Sequence, residues 1–161
     1  MQALGDALVA LLHYRLQWSA PAFAKLTRRT LVERVMTKPL LILISGPYLT
    51  GTNGDPKKVA LNLAAMEQMA LPIFQRGHLA LIGEWLAWPV IRAAGGVSHE
   101  DAIFKAYQYP VAHRLLSRCD AVLRIPGASN GADIEVAKAR EMGLPVFTRI
   151  EDVPDLSAAA K

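Results

Sequence analysis

The sequence predicts an α/β fold: a Rossmann-like, doubly wound parallel sheet of about four to five strands with flanking helices. Three observations carry that expectation. Short, continuous apolar runs alternate with longer segments of helical periodicity. The runs are closed by Gly, Pro, Asn and Asp, and they are apolar throughout rather than alternating, which suits strands buried on both faces. Finally, 52% hydrophobic residues and one cysteine in 161 residues give enough material for a core and exclude a disulfide framework or a four-cysteine zinc site.

The elements follow in order. Residues 38–45 (KPLLILIS) form the first strand, closed by Gly46-Pro47. Residues 46–55 form a loop, and Asp55-Pro56 reads as an N-cap with proline at the first helical position. The helix runs to about Arg76, with Val59, Leu63, Met66 and Ala70 on one face and a kink at Pro72; Gly77 ends it. Residues 78–82 form a second strand. Residues 84–94, with Trp85, Trp88 and Pro89, read equally as a short helix or an aromatic-rich loop. Ser98 and Asp101 cap a helix through about Ser117, interrupted near Pro110. Residues 120–125 (DAVLRI) form a third strand, 126–131 a loop, 132–142 a helix ended by Gly143, and 145–148 a fourth strand. Residues 150–156 begin a last turn, and 157–161 form a tail.

The net charge of +4 belongs entirely to residues 1–38, where Arg15, Lys25, Arg28, Arg29, Arg34 and Lys38 outnumber Asp6 and Glu33; the rest of the chain balances to zero. A nucleic-acid surface is therefore not expected on the body, residues 39–156. Residues 1–38 read either as an amphipathic helical arm or as sequence preceding a true start at Met36. The arm lacks the basic n-region and cleavage site of a secretory signal. No apolar run reaches the roughly 18 residues of a spanning helix, so a membrane partner is not expected and the expected location is cytoplasmic.

Ligands of such sheets bind beyond the carboxyl ends of the strands, where the strand order switches. Two loops lie there. The second reads Pro126-Gly127-Ala128-Ser129-Asn130-Gly131-Ala132-Asp133-Ile134-Glu135. Its glycines admit a close backbone approach, the following helix N-terminus favours an anion, and Ser129 and Asn130 add donors. Asp133 and Glu135 are about 200° apart around a helix, so only one can face the cleft. Asn130 with Asp133 also resembles a capping box, which accounts for these acids without chemistry. The first loop supplies Ser45, Gly46, Pro47 and Tyr48, whose hydroxyl can donate to a carboxylate or whose ring can simply pack. Neither GxGxxG nor GxxxxGK[ST] is present. His13, His78, His99 and His113 lack metal-ligand spacing, and Cys119 reads as a small buried residue. Trp85 and Trp88 offer a stacking face for a base, or pack in the core or between subunits.

The pairing of ISGPY in the first segment with CDAVLRIPGASNGADIEVAKAREMGLPVF resembles the nucleoside 2-deoxyribosyltransferase superfamily, which includes the 2'-deoxynucleoside 5'-phosphate N-hydrolases. The resemblance spans about residues 40–150 and is most specific at Ser129-x-Gly131-Ala132-x-x-Glu135. It implies that Glu135 attacks C1' of the sugar, that Tyr48 positions Glu135, and that Ser129 and Gly131 contact the 5' end or its phosphate. It also implies no metal or redox cofactor, and a homo-oligomer. Relatives carry an aspartate that contacts the base in the helix before the third strand; here Tyr107-Gln108-Tyr109-Pro110 holds no carboxylate. Glu84 and Asp133 remain as candidate acids, with nothing in the sequence to place either.

The expected function is cleavage of the N-glycosidic bond of a nucleoside or nucleoside 5'-monophosphate, by hydrolysis or by transfer. Glu135 and Tyr48 are its catalytic residues; Ser45, Gly46, Pro47, Ser129, Asn130, Gly131, Asp133 and Trp85 form the binding wall. The alternative is a non-catalytic nucleotide-binding or sensor module on the same fold. The phosphoribohydrolases of the lysine-decarboxylase-like family are a weaker match, because Ala128-Ser129 stands where their signature has glycine.

Overall fold

The computed structural model describes residues 38–157. The arm before Lys38, the alternative start at Met36, His13 and the tail after Ser157 lie outside the described residues.

The elements are β1 (Leu41–Ser45), α1 (Pro56–Glu67), α2 (Ala70–Gln75), β2 (Leu79–Ile82), α3 (Gly83–Ala93), α4 (Ala102–Leu116), β3 (Ala121–Arg124), α5 (Asn130–Glu141), β4 (Val146–Phe147) and a single 3-10 turn, Ile150–Asp152. The strands form one four-stranded sheet in the order β2-β1-β3-β4, parallel throughout. Ile44 pairs with Ile82 on one side and Leu123 on the other, so β1 is central and its end lies level with β3. The chain leaves β1 for β2 on one side, then crosses to β3 and β4 on the other. The switch in direction, and with it the crevice of an open α/β sheet, lies between β1 and β3.

The apolar runs make this sheet because both its faces are covered. Ile42, Leu43 and Ile44 are each at most 1% exposed, and burying such a side chain stabilises the fold by about 1.5–3 kcal/mol. Leu43 and Val122 meet Leu115 and Leu116 of α4 and Val136 and Ala139 of α5 in one cluster. His78 joins the ends of the described chain: its Nδ1 accepts from the Leu40 amide at 3.1 Å, and its Nε2 lies 2.7 Å from the Pro154 carbonyl. No described helix is long and apolar enough to cross a membrane.

Two elements differ from expectation, and one choice left open is resolved. The helix after Pro56 is two helices, broken at Gln68–Met69 rather than kinked at Pro72. Pro72 has no N–H for the Gln68 carbonyl and its ring crowds that group, so the break falls one turn earlier. Residues 83–93 are a helix that follows β2 with no loop between them, although Pro89 lies inside it. The helix 102–116 runs unbroken through Pro110.

Candidate functional site

Glu135 reaches the crevice because α5 starts at the right place. Ser129, not Asn130, is the N-cap; its hydroxyl accepts from the Ala132 amide at 3.2 Å. Counted from that cap, Ala132, Val136 and Ala139 form the buried stripe at helical spacing, and Glu135 lies along it. Strand alternation places Ser45 on the same face as Leu43, towards α5. The two segments meet: Ser45 Oγ donates to Glu135 Oε2 at 2.5 Å, across ninety positions of sequence.

Around this pair is a cavity of about 90 Å³, lined by Ser45, Gly46 and Tyr48 from the first loop, Ser129, Gly131 and Glu135 from the second, and Glu84, Gln108 and Tyr109 from α3 and α4. Such a volume is well below the roughly 300 Å³ of sites that enclose a drug-sized ligand. It suits the reacting part of a substrate, with the remainder extending outward. Burial pushes the Glu135 carboxyl up to about 7; the Ser45 hydrogen bond opposes the rise, Glu84 adds to it and Arg124 counters it. Burial also raises Glu84, against its own backbone hydrogen bond and a contact from Gln108 Nε2 at 3.5 Å. Two acids of raised pKa, close enough to influence each other, therefore share one small cavity.

Tyr48 lines the same cavity, but its hydroxyl is engaged elsewhere. Trp88 Nε1 donates to it at 2.9 Å, and it lies 2.7 Å from His99 Nε2. The rings of Tyr48, Trp88, His99 and Phe104 pack edge-on or tilted, with centroids 4.9–5.4 Å apart. Burial raises the Tyr48 pKa and lowers that of His99. The hydroxyl hydrogen-bonded to Glu135 is thus that of Ser45 rather than Tyr48, because the phenol is engaged by the aromatic cluster of α3, α4 and the loop between them.

The other expected site residues divide clearly. Ser129 and Gly131 line the cavity; Asn130 is exposed and does not. Gly46 lines it too, but the group that needs its missing side chain is Ile125, whose Cγ1 lies 2.5 Å from where a Cβ would be. Pro47 packs on the second loop, 2.6 Å from the position a Cβ of Gly127 would take; Gly127 also has φ +112°, which glycine accepts readily. Asp133 faces away with a 66% exposed side chain, paired to Arg124 at 3.1 Å. Being one position beyond N3, it is not part of a capping box. Arg124 also donates to the Ile125 and Gly127 carbonyls, clamping the loop before Ser129. Trp85 is half-exposed and donates to Glu67 at 3.0 Å, outside the cavity. Cys119 is buried and pushed up to about 11, so it is an inert thiol at neutral pH.

Sequence reasoning left Glu84 unplaced and missed Gln108 and Tyr109 as cavity residues. The available signal was position: Glu84 is the second residue after a parallel strand, at the edge where sites form. Among the described residues, no group of three His, Cys, Asp or Glu is placed to hold a metal ion. No family model, curated protein or solved structure matches the chain.

Proposed function

We propose that the protein cleaves the N-glycosidic bond of a nucleoside or nucleoside 5'-monophosphate, with Glu135 as the nucleophile. The observation that carries this reading is the Ser45–Glu135 hydrogen bond inside a small cavity at the β1–β3 switch. A carboxylate held by one donor and otherwise desolvated is suited to attack an anomeric carbon, whose transition state is positively charged. The start of α5, with Ser129 and Gly131 on the cavity wall, offers N–H groups to the 5' end of the sugar or its phosphate. Resemblance to the deoxyribosyltransferase superfamily supports the same assignment. The substrate is a small molecule, and the reaction requires no metal or redox cofactor. A homo-oligomer belongs to the same proposal; exposed Leu71, Phe74, Leu86 and Val90 are apolar surface that a second copy would cover.

The test is incubation with a panel of nucleosides and their 5'-monophosphates, with chromatography for free base. Release of base by the wild type, lost on the order of 10⁴-fold in Glu135→Ala, is expected. Base release unchanged in that variant removes the nucleophile. The engagement of the Tyr48 hydroxyl by Trp88 and His99 favours a second reading, a nucleotide-binding module without turnover. That reading gives saturable binding with substrate intact after hours.

A further inference from the structure

A glycosidic bond to a base breaks slowly unless the departing base is protonated, so the nucleophile needs a partner. Among the described residues, two carboxyl groups line the cavity: Glu135 from α5 and Glu84 from the first turn of α3. Their surroundings differ. Glu135 is fixed by a 2.5 Å bond from Ser45, with Arg124 favouring its charge. Glu84 has a backbone hydrogen bond within its own residue and a 3.5 Å contact from Gln108, and it lies close enough to raise both Glu135 and Tyr48. One acid is held by a short bond from a neighbouring strand, and the other by its own backbone and a contact at the limit of hydrogen-bond length, so the second is the more easily turned to a ligand.

We propose that Glu84 is the acid and base of this site, giving a proton to the leaving base and later taking one from the attacking water. The inference rests on the glycosidic reading above. In the first step a Glu135 oxygen bonds to C1' as the C1'–N bond breaks; the bond's electron pair stays on the base, which takes the Glu84 proton. In the second, water attacks C1', Glu84 takes the water's proton, and the ester bond breaks to return the Glu135 carboxylate. Protons and electrons balance with water as the only co-reactant. Gln108 is a positioning residue for Glu84, standing in the helix before β3 without a charge of its own. Glu84 holds its place without a hinge, since α3 begins at Gly83, directly after Ile82 of β2.

Glu84→Gln keeps the shape and removes the proton. The substrates are the nucleoside cleaved fastest by the wild type and the 4-nitrophenyl glycoside of its sugar, whose leaving group needs no acid. We expect a loss of about 10²-fold or more on the nucleoside. The initial burst of nitrophenol should fall less than about tenfold, and sodium azide should restore turnover by forming the glycosyl azide. Glu84→Ala, which leaves room for azide, should show the stronger rescue. Equal losses on both substrates without azide rescue, or no loss on either, overturn the role of Glu84 while the wild type's own activity upholds the glycosidic reading. A wild type that releases neither base nor nitrophenol overturns both.

Discussion

Ser45 and Tyr48 leave the same strand end three residues apart and arrive in opposite settings. Ser45 turns to α5 and gives its proton to one acid in a polar hollow. Tyr48 turns to Trp88 of α3 and to His99 of the loop after it, whose indole and imidazole engage its hydroxyl while the His99 ring meets its own edge-on. The difference shows how a fold separates reactivity from support. A group with nearly all its hydrogen bonds made has no reason to react, whereas an acid with one donor and a desolvated carboxyl is primed to change its charge or its bonds.

The largest expected break in that contrast is a pH-dependent one at Glu135. Its carboxyl titrates at about 7 in the fold against 4.5 ordinarily, so ionising it costs the native state. Its contribution to stability is whole below about pH 4.5 and is lost as the pH rises through about 7; the difference is worth about 3 kcal/mol. Besides Ser45, the groups acting on it are Glu84 and Arg124. Glu135→Gln should therefore be more stable than wild type at pH 8 by up to about 3 kcal/mol, with the gap closing at pH 4. Urea midpoints at the two pH values measure it, and a gap independent of pH contradicts it.

Ser45→Ala comes next. It removes the donor that holds the Glu135 pKa down, so the acidic limb of the rate profile should move to higher pH. The rate at neutral pH should fall about 10–100-fold, the worth of one hydrogen bond to a charged group. An unmoved limb would show that the serine is incidental.

Tyr48→Phe sharpens the comparison from the other side. It leaves Trp88 Nε1 and His99 Nε2 without their shared partner, at a cost of about 1–3 kcal/mol in thermal or urea melts. The acidic limb should stay in place, with a rate loss below about tenfold. A limb that shifts as in Ser45→Ala would return Tyr48 to the role of partner to Glu135.

The sheet was legible because its strands are short apolar runs with marked ends, and because both faces had to be covered. Pro72 and Pro110 were misjudged as local events, and Pro89 left its segment open between helix and loop. At Pro110 and Pro89 packing carries the helix past the proline, and at Pro72 the break moves back to Gln68. At the site, Glu135 is readable from the cap at Ser129 and the Ala132–Val136–Ala139 stripe. The partner of Glu135 was harder to read. Choosing between Ser45 and Tyr48 depends on where Trp88 and His99 lie; Trp88 comes from a segment whose helical character two tryptophans and a proline obscured, and His99 from the loop that follows it. Glu84 was hidden for the same reason, and Trp85 drew attention that belonged to its neighbour in sequence.

The joint between Ile82 and Gly83 has no slack, and that sets where this protein can change length. One residue added there would rotate Glu84 by about 100° around α3 and carry its carboxyl off the cavity wall. The stretch from Gly46 to Asp55 is tied down as well, since Thr52 is buried on the Leu49 carbonyl and Asn62 holds the carbonyls of Tyr48 and Thr50, so a change of length at the mouth of the hollow fits best at the exposed turn of Asn53 and Gly54.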